Sequence, residues 1–315
     1  MKPVSIIPES KEHWLKMKSK VITSTESSTL YGLNKYQTMF ELWHEKSGQI
    51  RIPFAESERM KWGNRLESSI AYAAAEENGW TIRNMNEFIY DEKLRIGSSF
   101  DFAILSEARP ATINKKQTID HDDIAILEIK NVDSLIYRNE WTEWEAPPHI
   151  ELQLQHQMLI SGLPEAYLVV LVGGNELKMI HRKANKKIHA SILQKCEEFW
   201  KTIDAGEAPE PDFNVDSDTI IDLYKSTDGS SFDATDDEKI YDLTTRYKQA
   251  AEDEKDAMAR KKAIKAEIFT LVGEAEKVYG SDFSISCKER EPYEVKAHTR
   301  QGFRDFRVTW KKEKK

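Results

Sequence analysis

The run Ala166–Val172, AYLVVLV, is the longest unbroken apolar stretch of the chain. It suits a strand covered on both faces and is far shorter than the ~20 residues of a membrane-spanning helix. A second strand candidate, Ile124–Lys130 (IAILEIK), begins with isoleucines and ends with a carboxylate and an ammonium. Side chains alternate along a strand, so Ile124, Ile126, Glu128 and Lys130 share one side. That pattern describes a buried strand whose C-terminal end reaches a polar site. In the run Ser99–Leu105, the same alternation puts Phe100, Phe102 and Ile104 on one face and Asp101 on the other. If the two strands are neighbours, Asp101 falls beside Glu128 and Lys130.

The elements around these strands read as mixed α/β. Helices are expected over Glu12–Ser19, Thr38–Glu45 and Ser57–Asn78, the last with Trp62, Leu66, Ile70 and Ala73 at helical spacing and Gly79 as its terminator. Further strands are expected over Ile82–Tyr90 and Glu176–His181, with Gly173-Gly174 turning the chain before the latter. Helices are expected over Ile150–Ser161 and Asn185–Ala205. The Pro209 and Pro211 segment reads as a linker, so the chain is divided into residues 1–210 and residues 211–315. Beyond the linker, Asp236–Val278 reads as one helix whose apolar residues keep a 3-4 spacing interrupted by Glu254 and Lys261. Strands over Phe283–Cys287, Tyr293–Ala297 and Phe303–Trp310 are expected to follow.

Charge is unevenly spread. The net charge is −8, but Asp204–Asp256 alone holds 17 acidic and 5 basic residues, which leaves the remainder at +4. The last 31 residues carry 10 basic and 5 acidic side chains. A nucleic-acid-binding body is compatible with that distribution. Two cysteines, Cys196 and Cys287, make neither a disulfide framework nor a four-ligand zinc site. With no apolar signal core at the N-terminus, a reducing cytoplasm is the expected compartment. No phosphate-binding glycine loop is present, so nucleotide-driven motion is not indicated.

Two carboxylates and a lysine converging on one point suit phosphodiester hydrolysis. Carboxylate oxygens are the hard ligands that Mg²⁺ prefers, and the lysine can hold a water and neutralise developing charge. In the helix Ser57–Asn78, Gly63, Glu67, Ala71 and Ala74 form a stripe of small residues with Glu67 as its only charge. In His149–Gly162 (HIELQLQHQMLISG), Gln153 and Gln157 lie four apart on one face.

The order Trp-Gly-x-x-x-Glu, then Asp, then Leu-Glu-x-Lys, then Gln-x-Gln-x-x-Met-x-x-x-Gly resembles the phage lambda exonuclease family, the YqaJ-type viral recombination nucleases of the PD-(D/E)xK superfamily. Trp14 with Val21–Glu26, and Gly32–Tyr36 with Glu41-Leu42-Trp43, resemble that family's opening motifs, so the likeness spans about Lys11 to His181. It implies a restriction-endonuclease-like α/β core, a mixed β-sheet flanked by helices, with a C-terminal helical and β extension. It implies that Asp101, Glu128, the backbone carbonyl of Ile129 and Glu67 hold Mg²⁺, with Mn²⁺ as a substitute. Lys130 corresponds to the catalytic lysine, and Gln153 to the glutamine that supports the attacking water, with Gln155 as its companion. Lys18 and Thr25 stand where the family binds a DNA 5′ phosphate. Three departures stand out: Ser99-Phe100-Asp101-Phe102 replaces a Pro-Asp-Gly turn, a lysine replaces an arginine at Lys18, and Ile150 replaces a tyrosine.

The implied activity is 5′-to-3′ exonuclease action on double-stranded DNA ends, releasing 5′ mononucleotides and leaving 3′ single-stranded tails. The implied partners are a phage single-strand annealing protein and further copies of this chain, as a trimer. The implied setting is the cytoplasm of a bacterial host carrying a phage or prophage, with no membrane. Two alternatives are an endonuclease of the same superfamily, which would nick closed circles, and a recombination factor that binds DNA ends without cutting.

Overall fold

The computed structural model describes residues 3–50, 56–106, 123–294, 304–306 and 308. The chain opens with β1 (Val4–Ile6), α1 (Lys11–Lys18), β2 (Ile22–Thr23), a 3₁₀ turn (Ser27–Tyr31) and α2 (Met39–Lys46). Next come α3 (Glu58–Asn78), β3 (Ile82–Asn84), β4 (Phe88–Asp91), β5 (Ile96–Ser99), β6 (Phe102–Leu105) and β7 (Asp123–Val132). They are followed by α4 (Ser134–Glu140), α5 (Pro148–Ser161), β8 (Glu165–Val172), β9 (Glu176–Lys183), α6 (Lys186–Ala205) and α7 (Ser217–Leu223). Last are α8 (Glu238–Val272), β10 (Lys277–Tyr279) and β11 (Ser284–Ser286). Among the described residues, no helix is long and apolar enough to cross a membrane.

The mixed α/β core expected from the sequence is what the chain forms. A five-stranded sheet has the order β3-β6-β7-β8-β9, and a four-stranded sheet has the order β1-β4-β5-β2. Strands β7 and β8 run parallel over eight paired positions, from Ala125 opposite Glu165 to Val132 opposite Val172. All other pairings of the five-stranded sheet are antiparallel. Both faces of β7 are covered. Ile126 belongs to a core shared with Leu154 and Met158 of α5, Phe199 and Trp200 of α6 and Ile96 of β5. Leu127 and Ile129 point the other way, into a core closed by Ile70, Ala71 and Ala74 of α3. Ile124, at 47% exposure, escapes both cores because a bulge pairs Ile104 with Ala125 but Leu105 with Asp123.

Three sequence expectations are corrected. Ser99–Leu105 is not one strand: β5 ends at Ser99 in the four-stranded sheet and β6 begins at Phe102 in the five-stranded one. The alternation therefore fails at the crossing, and Phe100 joins the α5-side core while Phe102 joins the α3-side core. Ile82–Tyr90 likewise divides into β3 and β4, one in each sheet. On α3, Trp62 and Ala73 are exposed, and the face against the sheet is Ile70, Ala71, Ala74 and Ala75. Small side chains let helix and sheet approach closely, and that decides which stripe is buried.

Two compact units are present, Met1–Leu223 and Tyr224–Lys315. The segment after residue 210 remains tied to the first unit. Thr38 Oγ1 donates to Asp216 at 2.5 Å, and Thr219 Oγ1 donates to Glu41 at 3.0 Å. In the second unit α8 stops at Val272, with Gly273 at a positive φ of 57°. The strands expected over Tyr293–Ala297 and Phe303–Trp310 fall largely outside the described residues.

Buried polar groups fasten the segment Val21–Leu30 to its surroundings. Lys46 pairs with Glu26 at 2.8 Å and also donates to the Lys18 carbonyl at 2.9 Å. Burial works against the Glu26 charge, but Lys46, Lys18 and the Thr23 N–H hold its pKa below the ordinary value. Lys46→Met leaves this carboxylate buried without its counter-charge. The expected loss is about 3–5 kcal/mol of unfolding free energy in a urea titration. A loss below about 1 kcal/mol would mean that solvent screens the pair.

His156, wholly buried in α5, meets Ser27 Oγ through Nδ1. Burial pushes its pKa down to about 4, whereas an imidazole in the unfolded chain titrates near ~6.5. Between those values the unfolded chain binds the extra proton, so stability is complete above ~pH 6.5 and falls toward about pH 4. The predicted loss is about 3 kcal/mol. Denaturation across that range should show this slope in the wild type and a flatter one in His156→Gln. Equal slopes would remove His156 as its source.

Candidate active site

The site forms where β7 ends. Parallel pairing with β8 and cover on both faces carry the strand through the interior, and its polar end emerges into a cavity of about 750 Å³. Glu128 sits on the α5 side of β7 with 2% exposure. A carboxylate buried that deeply requires partners, and it has three. Lys130, two residues along the same strand face, contacts Glu128 Oε1. Gln153 Nε2 donates to Oε1 at 2.5 Å, and Gln157 Nε2 donates to Oε2 at 2.7 Å. Both amides come from α5, a helix buried on most of its circumference between Pro148 and the αL residue Gly162.

Asp101 reaches the same place by the crossing from β5 to β6. The Ile129 N–H donates to Asp101 Oδ2 at 2.8 Å, which fixes the carboxylate against β7. Glu67 faces the cavity from α3, one turn beyond Gly63, which lines it too. Burial and the neighbouring Glu128 charge raise the Asp101 pKa well above the usual carboxylate range, with Lys130 opposing. Glu67 is raised for the same reasons. Burial lowers the Lys130 pKa, but the carboxylates of Glu128 and Asp101 outweigh it and leave the ammonium above its ordinary value. The carboxylates thus repel one another, with Lys130 as the nearby cation.

The opposite wall comes from α1 and the segment after it. Lys18, Thr23, Ser24 and Thr25 line the cavity. The Lys18 ammonium stands 4.8 Å from the centre of the Trp14 ring, and the Trp14 indole N–H donates to Ser99 Oγ at 2.9 Å. Ser98 Oγ donates to Ser24 Oγ at 2.8 Å. These two links tie the Lys18 and Thr25 wall to the end of β5, next to Asp101.

One cavity therefore gathers Glu67, Asp101, Glu128, Ile129, Lys130, Gln153, Lys18 and Thr25. Gln155 does not join them. Its amide is spent on the β9–α6 connection, donating to the Lys183 carbonyl at 3.0 Å and accepting from the Asn185 N–H at 2.9 Å. Residues two apart on a helix point to different sides, whereas residues four apart share one. Gln157 is the second amide of the site for that reason. The i, i+4 relation to Gln153 is the signal that identifies it. The bridge from Trp14 to Ser99 has no signal in sequence spacing, because it joins residues 85 positions apart.

Among the described residues, no three His, Cys, Asp or Glu side chains form a ready-made metal shell. The donors facing the cavity are the carboxylates of Asp101 and Glu128, with Glu67 on the same wall. That set fits Mg²⁺, which takes one or two protein carboxylates and fills its remaining positions with water and substrate oxygens. Mutual repulsion among the carboxylates also favours a cation among them.

A family model described as the YqaJ-like viral recombinase domain matches residues 13–164. The uncharacterized protein YqaJ of Bacillus subtilis (strain 168) is 28% identical over 244 residues, covering 76% of this chain and 69% of the relative. Among solved structures, the alkaline exonuclease LHK-Exo of Laribacter hongkongensis is similar at a TM-score of 0.49 with 15% identity, covering 62% of this chain and 94% of that one. A phage related exonuclease from Haemophilus somnus 129PT gives a TM-score of 0.39 with 9% identity, covering 59% of this chain and 96% of that one. The matched segment holds α1 from His13 onward, the Glu67 helix, Asp101, the polar end of β7 and both amides of α5. The part of this chain that is similar to the YqaJ-like viral recombinase domain is thus the part that lines the cavity.

Proposed function

We propose that this chain is a metal-dependent exonuclease for double-stranded DNA ends. It removes 5′ mononucleotides from one strand and leaves a 3′ single-stranded tail for recombination by annealing. The observation that carries this reading is one cavity pairing the Asp101, Glu128 and Lys130 set with a basic wall at Lys18 and Thr25. The description of the family model that matches residues 13–164, a viral recombinase domain, agrees with it.

In this reading Lys18 and Thr25 bind the terminal 5′ phosphate and set the register of the strand. Asp101, Glu128, the Ile129 carbonyl and Glu67 hold Mg²⁺, with Mn²⁺ able to substitute. When bound, the ion polarises the scissile phosphodiester and lowers the pKa of the attacking water. Lys130 positions that water and offsets the charge that develops on the phosphoryl oxygens. Gln153 and Gln157 keep the Glu128 carboxylate in one orientation, so that the ligand does not turn away when the substrate enters. Lys18 meets a phosphate as a point charge, without the bidentate geometry of an arginine. A phage single-strand annealing protein would receive the product strand. By the family resemblance the working form is a trimer in the bacterial cytoplasm.

The test uses linear duplex DNA labelled at each end beside the same DNA as a closed circle, with Mg²⁺ or EDTA. Release of 5′ mononucleotides from the linear form alone, lost in EDTA and reduced about 10³-fold or more in Lys130→Ala, is the expected result. Cutting of the circle would replace the exonuclease with an endonuclease. Binding of ends without cleavage would leave a non-catalytic end-binding factor. Gln153→Leu should slow release by about 10–100-fold by freeing the Glu128 carboxylate. Lys18→Ala should erase any preference for 5′-phosphorylated over 5′-hydroxyl ends while cleavage of the latter persists. A preference unchanged in Lys18→Ala would place the phosphate contact elsewhere.

A further inference from the structure

Helix α8 is 35 residues long and buries none of them, a rod of ~52 Å at 1.5 Å per residue. Helices in proteins draw most of their stability from packing an apolar face, and α8 has such a face. Numbering a heptad with a at Ile240 and d at Leu243 fills five consecutive heptads without a break. Every a and d position is then apolar except Glu254 and Lys261, both at a. The seam is open: Leu243 is 45% exposed, Ile264 57% and Leu271 81%. Tyr247 touches the Phe306 ring, at 5.3 Å between centres, and is still half exposed.

The charges select what can cover this seam. In a parallel pair of α8 helices, Glu254 would face the partner's Glu254 and Lys261 the partner's Lys261 inside the seam. Arg260 would meet the partner's Lys265 at its edge. In an antiparallel pair, a faces d. One register sets Ile240 against the partner's Leu271, and there both long charged seam residues fall opposite alanines. Glu254 faces the partner's Ala257, and Lys261 faces the partner's Ala250. The flanking g positions then pair Arg246 with the partner's Glu267 and Asp253 with the partner's Arg260, opposite charges in each case. Sliding either way by one heptad destroys this match: Arg246 meets the partner's Arg260, or Asp253 meets the partner's Glu267.

We propose that α8 pairs with α8 of a second copy of this chain as an antiparallel two-stranded coiled coil in that register. Glu254 and Lys261 lower the strength of the seam and in exchange fix its direction and alignment, the use that polar residues at a positions serve. The pairing is independent of the nuclease reading and of any contact between the first units.

The test uses the full chain in a Cys287→Ser background. Ala250→Cys and Lys261→Cys are made separately and oxidised alone or mixed. Disulfide-linked dimer should form in the mixture at least about tenfold faster than in either variant alone. Homodisulfides in each variant alone would mean a parallel pair and overturn the proposal. Absence of cross-linking in every arm would mean that the seam takes a different partner, and would overturn it too. Separately, Asp253→Arg or Arg260→Asp should each weaken self-association about tenfold in sedimentation, and the double exchange should restore it. Unchanged association in both single variants would remove the proposed register.

Discussion

The carboxylate of Glu128 is the constraint around which the first compact unit of this chain is organised. It sits at 2% exposure inside a sheet with helices on both faces. A charge in that position is strongly unfavourable unless donors surround it. Among the described residues, the donors come from two elements, the next same-face residue of β7 and one face of α5. Strand and helix are consequently locked in rotation and register, because a one-residue slip would put Leu127 or Ile129 in the place of Glu128, or Leu152 or Leu154 in the place of Gln153. Satisfying Glu128 and bringing Lys130 and Gln153 to one cavity are therefore one requirement.

The second organising feature is the passage of the chain between two sheets at Phe100 and Asp101. A carboxylate within a regular strand would point to one face of one sheet. At the crossing, Asp101 is freed from that alternation, and its carboxylate is caught by the Ile129 N–H of the neighbouring sheet. The crossing also brings Ser98 and Ser99 to the wall formed by Trp14 and Ser24. The Asp101 side of the cavity and the wall of Trp14 and Ser24 are thus held at a fixed spacing by a few hydrogen bonds around one turn.

Much of this was legible in the sequence because the signals are local. The runs AYLVVLV and IAILEIK become adjacent parallel strands. Helix α5 ends at Gly162 as its composition indicates, and Asn185 caps α6 by accepting from Lys187 and Ile188. Reading the alternation of IAILEIK places Glu128 and Lys130 on one face, and in the structure they touch. What could not be read depends on distant parts of the chain. Period-two patterning carries no information about which sheet a strand joins, so Ser99–Leu105 looked continuous. Side-chain size misled on α3, where close approach to the sheet buries alanines and leaves Trp62 at 51% exposure. For the glutamines, the family spacing points to Gln155, whereas helical geometry puts Gln157 on the Glu128 side and Gln155 on the β9 connection.

Helix α5 has a consequence beyond the amides it lends to the cavity. Two of its other polar residues are committed elsewhere: Gln155 to the connection after β9, and His156 to Ser27. A helix tethered on three sides transmits displacement instead of absorbing it. A misplacement of ~1 Å at a catalytic group can cost about 10² in rate. Sequence variation at Ser27, Gln155 or Asn185 is thus written into the position of Gln153 and Gln157 as surely as variation at the cavity itself. The segments that govern how well this site is aligned are scattered along the chain, and most of them never face the cavity.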